Sequence, residues 1–469
     1  MAALSSPAAA SYAAYVALCG LLHWAFASVV REPYMDEPFH VGQAQAYCEG
    51  RWAEWDDKIT TFPGLYLVAA SAANAANSGG GAATMTCTLS SLRALNLIPA
   101  LATPALLHAL LRALHPHESP RDVAANAAVL SMLPTHFFFH FLFYTDSFAT
   151  CSVLALLLCL HSFERSSFVR HVVLGLAAAA AIAFRQTNAA WVAFAIGSGL
   201  LADLHAIGAL SSSATVGTAL REALHAVPVA VPGLIARRYL LPTLVLVGFA
   251  AFVVVNGGVV VGDKGNHAPA VHTAQLLYLT VLASAPFSAE ALTVRAPETL
   301  RAALRATRAS PASAVLAVCA ALALARGTLC HPFLLADNRH VTFYLWRHLL
   351  GRHWLARYAL APGYALLGCR LYPLVWRRRT APDGGGGPVL ALGLLVCAAL
   401  VLVPSPLIEP RYLTLPTLLL RLHAVPPLRG PREWLPALFA FACLNAAMLF
   451  LFLGRPYTWG DGSVARFMW

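Results

Sequence analysis

Two adjacent carboxylates, Asp36 and Glu37, lie in the stretch "REPYMDEPFH" (31–40), directly after the first long apolar run of the chain. Aromatic residues accompany them through residue 61, and such rings favour a membrane interface. A carboxyl group that is partly buried there becomes a better proton acceptor near neutral pH. Asp36 is therefore a candidate general base, with Glu37 and then Asp56 as alternatives. The competing interpretation is a solvated acidic flank.

A second set of candidates consists of cations at the ends of later apolar runs, namely Arg185, Lys264, Arg339 and Arg411. Asn, Gln or His neighbours accompany these cations in "FRQTN", "GDKGNH" and "ADNRH". Charges at such depth are costly and usually have a partner, often an anionic ligand. Arginine forks and a lysine point charge together suit a phosphate near the membrane surface. The alternative for each single cation is snorkelling to the interface.

The histidines His267, His272, His331 and His340 lack HExxH or a similar spacing, so we expect no metal site. No glycine-rich or Walker motif is present, and no soluble segment is large enough to bind a nucleotide donor. A group-transfer enzyme of this kind would take its donor from the membrane. The net charge of +11 reflects inside-facing loops and does not indicate a nucleic-acid partner.

The elements that must position these residues are membrane helices. The 469-residue chain is 59% hydrophobic and 11% charged, against about a quarter charged in soluble domains, which indicates an all-α polytopic membrane protein. Apolar stretches approach the roughly 20 residues that cross a bilayer. We predict about 13 spans (12–14), at 12–30, 92–112, 123–143, 147–163, 171–184, 189–205, 239–260, 272–289, 312–329, 354–375, 388–404, 411–424 and 434–453. The shorter piece Phe62–Ala76 is predicted to be an interfacial helix.

The loops between these spans fall into two alternating sets. One set is basic, with pairs such as Arg237 and Arg238 and the cluster Arg295, Arg301, Arg305 and Arg308, and the positive-inside rule makes it cytosolic. The other set contains the acids, amides and histidines named above, which therefore share the opposite side. The N-terminus is then cytosolic, and the first span is a signal anchor.

We predict one membrane-embedded domain over residues 1–469, with a large non-cytosolic first loop at 31–91 and cytosolic loops at 206–236 and 380–388. Three cysteines lie near predicted loops, namely Cys48, Cys87 and Cys330. A disulfide among them is compatible with the sequence, which does not choose the pair.

Several motifs resemble one family closely: "PYMDEPFHVGQAQAYCEGRWAEWDDKITTFPGLYL" (33–67), "FRQTN", "GDKGNH", "HPFLLADNRHVTFYLWR" (331–347), "EPRY" and the final "RFMW". The family is the endoplasmic-reticulum α-1,2-glucosyltransferases that use dolichyl phosphate glucose and add the third, terminal glucose to the lipid-linked N-glycan precursor. The resemblance implies the membrane-embedded GT-C fold, a lumenal active site and an inverting reaction. It also implies dolichyl phosphate glucose as donor, a dolichyl-diphosphate-linked oligosaccharide as acceptor, membrane lipids as surroundings, and no metal cofactor.

Inversion needs one base on the acceptor side of the sugar and cations for the leaving phosphate. On this basis Asp36 is the predicted base, with Glu37 in reserve. The predicted phosphate ligands, in falling order, are Arg339, His340, Lys264 and Arg411. The alternative for Arg411 is a structural pair with Glu409 in "EPRY". The predicted sugar or acceptor contacts are Asp56, Arg185, Gln186, Asn188, His267, Trp52 and Trp55, although we favour the two tryptophans as anchors of the loop.

Two alternatives remain. A transporter for a lipid-linked sugar would place its charges near the midplane and show internal repeats, and neither is seen. A related GT-C enzyme that uses another polyprenyl phosphate sugar, such as mannose, would share the same residue types, and the glucose assignment rests on the resemblance.

Overall fold

The computed structural model describes residues 6–78, 87–164, 167–210, 216–293, 311–377, 387–423, 425 and 427–469. Most of the predicted loop 380–388, and the arginines Arg295, Arg301, Arg305 and Arg308, lie outside these residues. The described chain is helical, apart from one small hairpin near residue 460. It is therefore an all-α membrane protein, as predicted.

The helices follow the predicted apolar runs closely. In chain order they are α1 Ser6–Val29, α2 Glu37–Cys48, α3 Gly64–Ser78, α4 Leu89–Leu95, α5 Leu97–Leu114, α6 Pro120–Ser131, α7 Pro134–Phe137, α8 Thr145–Ser162, α9 Phe168–Phe184, α10 Asn188–Ala206, α11 Val216–Leu234, α12 Leu240–Asn256, α13 Gln275–Thr293, α14 Pro311–Arg326, α15 Pro332–Ala336, α16 Val341–Leu345, α17 Ala356–Ala359, α18 Ala361–Arg377, α19 Pro388–Leu402, α20 Thr414–His423 and α21 Pro431–Gly454. Short 3₁₀ turns occupy Phe138–Phe141 and Pro410–Leu413, and π turns occupy Ile235–Tyr239 and Trp346–Leu350.

Within the described part of the chain, six helical stretches are long and apolar enough to cross a membrane: Ala9–Val29, Leu89–Leu114, Thr145–Ser162, Asn188–Ala206, Leu220–Asn256 and Pro431–Gly454. Five shorter apolar helices accompany them: Gly64–Ala76, Phe168–Phe184, Gln275–Pro286, Pro311–Arg326 and Pro388–Leu402. The helix predicted at Phe62–Ala76 is present as α3.

Two predicted continuous spans are broken. The span 123–143 divides into α6, α7 and a 3₁₀ turn, because Pro134 disfavours a helical conformation at the preceding residue. The span 354–375 begins as the single turn α17 and restarts at Ala361, where Pro362 is tolerated in the first turn of α18.

The predicted loop 206–236 is a further difference, because α11 fills most of it. Leu220, Leu224 and Val227 recur at helical spacing within an alanine-rich stretch, which favours an amphipathic helix over a loop. The side of the membrane on which it lies stays a prediction.

The described chain divides into two compact units. The first unit comprises Met1–Ala113, His136–Leu200 and Val229–Ala268. It carries residues 31–61, which we call the acidic loop. Its interior joins α2, α3 and α4 through a buried cluster that includes Val41, Tyr47, Leu65, Tyr66, Leu92 and Phe143. α8 packs on α9, which also packs on α12.

The second unit comprises Leu114–Thr135, Leu201–Pro228 and Pro269–Trp469. α13 packs on α18 and α21, and α14 packs on α18. Small side chains at their contact, such as Ala321, Ala325 and Ala361, let the helices approach closely. The unit ends in an antiparallel hairpin, β1 Tyr457–Thr458 with β2 Val464–Ala465, in which Tyr457 opposes Ala465.

Candidate active site

Asp36 lies immediately before α2, at its N-cap position, and is partly exposed. Its side chain does not cap the helix; instead its main-chain N–H donates to the hydroxyl of Tyr144 at 3.0 Å. The preceding residue, Met35, has φ of +59°, a left-handed conformation that is costly for a non-glycine residue. Such strain persists where the surroundings enforce it, and it is common beside functional groups. The local fold therefore fixes the backbone that presents the Asp36 carboxylate.

Glu37 has a different environment, although it is the next residue. It is fully buried, and its carboxylate accepts from Arg93 Nε at 2.8 Å and Arg93 Nη2 at 2.5 Å. The main-chain N–H groups of Tyr34 and Phe143 donate to the same carboxylate at 2.9 and 2.7 Å. Four donors match the roughly four lone-pair positions of a carboxylate.

Arg93, on α4, ties this acid to the end of the first span. Its side chain is 1% exposed, and its Nη1 donates to the Val30 carbonyl at 2.6 Å, while Nη2 also reaches the Glu32 carbonyl at 3.3 Å. A guanidinium that bridges a carboxylate and two carbonyls fixes the geometry of the turn 30–37.

Three rings lie next to the Asp36 backbone in the first unit. His40 Nδ1 is 2.6 Å from the Tyr66 hydroxyl, and the His40 ring meets Tyr144 edge-on at 5.6 Å between centroids. Tyr66 and Tyr144 are buried, while His40 is partly exposed. The three rings therefore form a contiguous cluster beside the start of α2.

The second half of the acidic loop is held by its own residues. The Asp56 N–H donates to Gln43 Oε1, and Asp56 Oδ1 accepts from the Lys58 N–H, both at 2.9 Å. Trp55 packs edge-on to Tyr66 at 6.0 Å, whereas Trp52 is 52% exposed beside Tyr47. Trp55 therefore packs within the loop, and Trp52 is the more accessible of the two rings.

A disulfide joins Cys48, the last residue of α2, to Cys87. The structure therefore selects one pair from the three cysteines left open by the sequence, and Cys330 carries a free thiol. The disulfide and Gln45, whose Nε2 donates to the Cys87 carbonyl at 3.0 Å, together close the base of the acidic loop.

The "FRQTN" residues are engaged within the first unit. Arg185 forms an ion pair with Asp146, and Gln186 Nε2 donates to the Thr60 carbonyl at 2.8 Å. Asn188 Nδ2 donates to the carbonyls of Ala149 and Ala181 at 3.1 and 2.9 Å. The two buried amides thus fasten the ends of α8, α9 and the acidic loop.

The loop 257–267 pairs with the acidic loop through its backbone. The N–H groups of Val261 and Gly262 donate to the carbonyls of Thr60 and Ile59 at 3.2 and 3.1 Å. A Cβ at Gly262 would overlap the carbonyl oxygen of Asp57, so only glycine permits this approach.

Lys264 and His267 follow this contact on the same loop. Asp263 has φ of +44°, and the exposed Lys264 places Nζ 2.7 Å from the Asn256 carbonyl and 2.9 Å from Asn256 Oδ1. His267 Nδ1 lies 3.1 Å from the Asp263 carbonyl. Lys264, a predicted phosphate ligand, therefore lies on the loop whose backbone pairs with the acidic loop.

The remaining phosphate candidates, Arg339, His340 and Arg411, lie in the second unit. Asp337 accepts from Arg339 Nε at 2.9 Å and Nη2 at 2.7 Å, and Arg411 is ion-paired with Glu409. Burial raises the pKa of Asp337, but hydrogen bonds from the Arg339 side chain and backbone lower it by more, so its pKa lies below the usual value. Asp337 is thus the charged partner that orients Arg339.

Sequence reasoning missed Arg93, Tyr144 and Asp146 as site residues. The signal for Arg93 was available, since it is an arginine at the start of an apolar run that follows an acidic loop. Among the described residues, no three His, Cys, Asp or Glu side chains come together as a potential metal site.

Together these features define a polytopic membrane protein whose first unit holds a disulfide-closed acidic loop, a partly exposed carboxylate at a helix start and Lys264 on the loop paired with it, and whose second unit holds the cations Arg339, His340 and Arg411. The chain belongs to the DIE2/ALG10 family, whose model matches residues 30–422. This confirms the family predicted from the motifs.

The relatives of this chain extend over nearly its whole length. A protein of Arabidopsis thaliana is 33% identical over 507 residues, which cover 94% of this chain and 96% of the relative. Proteins of Rattus norvegicus and Homo sapiens are 31% and 30% identical, with 96% of each chain covered. All three are named Dol-P-Glc:Glc(2)Man(9)GlcNAc(2)-PP-Dol alpha-1,2-glucosyltransferase. No solved structure matches this chain.

Proposed function

We propose that this chain transfers glucose from dolichyl phosphate β-glucose to the diglucosylated lipid-linked oligosaccharide Glc2Man9GlcNAc2-PP-dolichol, forming the terminal α-1,2 linkage. The observation that carries the proposal is the similarity to enzymes named for this reaction over 94–96% of the chain. The donor, the acceptor and the membrane lipids are the partners, with no nucleic acid.

The reaction is a single displacement with inversion. The acceptor hydroxyl oxygen bonds to the anomeric carbon of glucose as the bond from that carbon to the lipid phosphate oxygen breaks. The proton of the hydroxyl passes to a carboxylate, and dolichyl phosphate leaves as a phosphomonoester anion. One base and several cations therefore suffice.

We assign the base to Asp36. Its partial exposure and the strained turn at Met35 support this choice, because a base must be reachable and held in place. Glu37 is supported as a positioning residue, since four donors already engage its buried carboxylate. Asp56 stays a reserve base and acceptor contact.

We assign the donor phosphate to Arg339, His340, Lys264 and Arg411. The set contains both arginine and lysine cations. Arg339 and Arg411 each form an ion pair with a neighbouring acid, which orients the guanidinium. Of the sugar candidates, Trp52 and His267 keep that role. The bonds of Gln186 and Asn188 to main-chain carbonyls favour a structural role for these two amides, whereas Arg185, with Asp146 as its ion-pair partner, stays a proposed sugar or acceptor contact.

We further propose that the fold is GT-C with about 13 spans, that the protein resides in the endoplasmic reticulum membrane, and that its N-terminus is cytosolic. The disulfide Cys48–Cys87 supports a lumenal acidic loop, because disulfides persist on the oxidising side of that membrane. We propose a metal-independent reaction, in which Arg339, His340, Lys264 and Arg411 contact the leaving phosphate.

Reconstitution in vesicles tests the function directly. Purified protein, dolichyl phosphate glucose and the diglucosylated acceptor should give a triglucosylated product, while dolichyl phosphate mannose should give none. Transfer from the mannose donor alone would favour the alternative enzyme. Translocation of a lipid-linked sugar without transfer would favour a transporter.

A further inference from the structure

The chain segment 457–469, which we call the C-terminal segment, packs against the loop that carries Arg339 and His340 within the second unit. The Met468 N–H donates to the Arg339 carbonyl at 2.8 Å, and the Val341 N–H donates to the Met468 carbonyl at 3.0 Å. These two bonds form a parallel bridge that pairs His340 with Met468. The backbone of the loop is therefore fixed on both sides of His340.

Side chains of the hairpin hold the same loop. The guanidinium of Arg339 lies over the ring of Trp459, 4.6 Å from its centroid. Trp459 Nε1 and the Tyr457 hydroxyl both donate to Asn338 Oδ1, at 3.3 and 3.1 Å. One face of Arg339 thus rests on an aromatic ring, while the residue before it is bonded twice to the hairpin.

Asp337 completes the restraint on Arg339 by accepting from Nε and Nη2. A guanidinium held in its plane by a carboxylate and on its face by a ring has few orientations left. A cation that is oriented before its anion arrives binds that anion with less loss of entropy.

His340 is oriented by the end of the segment. Its Nδ1 is 2.5 Å from the main-chain oxygen of Trp469. Because that oxygen only accepts, Nδ1 donates to it, while Nε2 lies 3.9 Å from Asp337 Oδ2. A phosphate also only accepts, so His340 contacts it through Nε2 when that nitrogen carries a proton as well.

We propose that the C-terminal segment is a positioning element for the donor phosphate, in which Trp459 and Tyr457 fix the loop that presents Arg339 and His340. The inference rests on the proposed function, since it takes Arg339 and His340 as phosphate ligands. It adds two positioning residues and gives the terminal hairpin a role in donor affinity.

The test compares Trp459→Leu with Trp434→Leu. Trp434 is a matched control in the same unit, because it lies 5.8 Å from Arg121 and its Nε1 donates to Asp122 at 3.2 Å. The KM for dolichyl phosphate glucose should rise roughly tenfold in Trp459→Leu, the size expected for a partly buried cation–π contact, with kcat little changed. Trp434→Leu should keep the wild-type donor KM, and Trp459→Phe, which keeps a ring under Arg339, should recover most of the loss.

An Arg339→Ala variant distinguishes failure of the proposed function, of the phosphate assignment and of the positioning role. A wild-type protein that transfers no glucose would overturn the proposed function, and with it this inference. An unchanged donor KM in Arg339→Ala would overturn the phosphate assignment. A raised donor KM in Arg339→Ala together with a wild-type donor KM in Trp459→Leu would refute the positioning role alone.

Tyr457→Phe provides a second variant in case Trp459→Leu does not fold. It removes a single hydroxyl, the donor to Asn338, and should also raise the donor KM. A wild-type donor KM in folded Tyr457→Phe protein would then count against the proposal.

Discussion

Replacing Arg93 by methionine leaves the Glu37 carboxylate buried with two main-chain N–H partners and no cation. Glu37 is 0% and Arg93 1% exposed, so water does not replace the lost guanidinium. Breaking a buried pair by removing one partner typically costs about 3–5 kcal/mol, because an uncompensated charge stays in the interior. The carbonyls of Val30 and Glu32 also lose a donor. The expected change is a large drop in melting temperature.

The assay is the thermal unfolding of purified protein in detergent, followed by the loss of the monodisperse chromatographic peak. Arg51→Met is the matched control, because Arg51 pairs with Glu49 and Glu54 in the same loop while 46% exposed, and exposed pairs contribute little. Its melting temperature should stay close to that of the wild type.

A double variant sharpens the test. Adding Glu37→Gln to Arg93→Met removes the buried charge and should restore part of the lost stability. If Arg93→Met melts like the wild type and like Arg51→Met, the buried ion pair does not exist as described. The assignment of Asp36 as the base and Glu37 as a positioning residue then loses its support.

Three further predictions concern the loops. Replacing Cys48 by alanine opens the disulfide to Cys87, which spans 39 residues, and should cost on the order of 4 kcal/mol by chain entropy; Cys330→Ala should leave the melting temperature unchanged, and equal melting of the two variants would contradict the assignment. Because the pKa of Asp337 is lowered, its pair with Arg339 stabilises the fold above the unfolded pKa of about 3.9 and is lost as pH falls. The difference in melting temperature between wild type and Asp337→Asn should therefore hold above about pH 5 and shrink below about pH 4, whereas a difference independent of pH would refute the pair. Glucose transfer should persist in the presence of a metal chelator. Loss of transfer would instead favour His267, His272, His331 and His340 as metal ligands.

The sequence predicted the helices well where apolar residues run without interruption. α1, α8, α10 and α21 begin and end within a few residues of the predicted spans, except that α1 starts earlier. Prediction was wrong at 123–143, where Pro134 separates α6 from α7, and at 354–375, where the helix stops after Ala359 and restarts at Ala361, directly before Pro362. Hydropathy averages over such a residue, whereas backbone geometry does not.

The sequence predicted which residues form the candidate site, but not which residues pair with them. Glu37 and Arg93 are 56 residues apart, and their pairing depends on α4 packing beside α1, which no local pattern encodes. Adjacent carboxylates also look alike in sequence, because burial depends on the direction in which each side chain leaves the turn. The choice of Cys87 over Cys330 likewise depends on where the end of α2 lies in three dimensions.

The central claim is that Asp36, and not its neighbour, accepts the proton of the acceptor hydroxyl. The most direct measurement is the kcat for glucose transfer by Asp36→Asn, with Asp57→Asn as an exposed acidic control from the same loop. We expect Asp36→Asn to lose roughly 10²–10⁴-fold in kcat, the usual contribution of a general base, with a wild-type melting temperature and donor KM. Asp57→Asn should transfer glucose at the wild-type rate. Wild-type turnover in folded Asp36→Asn protein would contradict the mechanism.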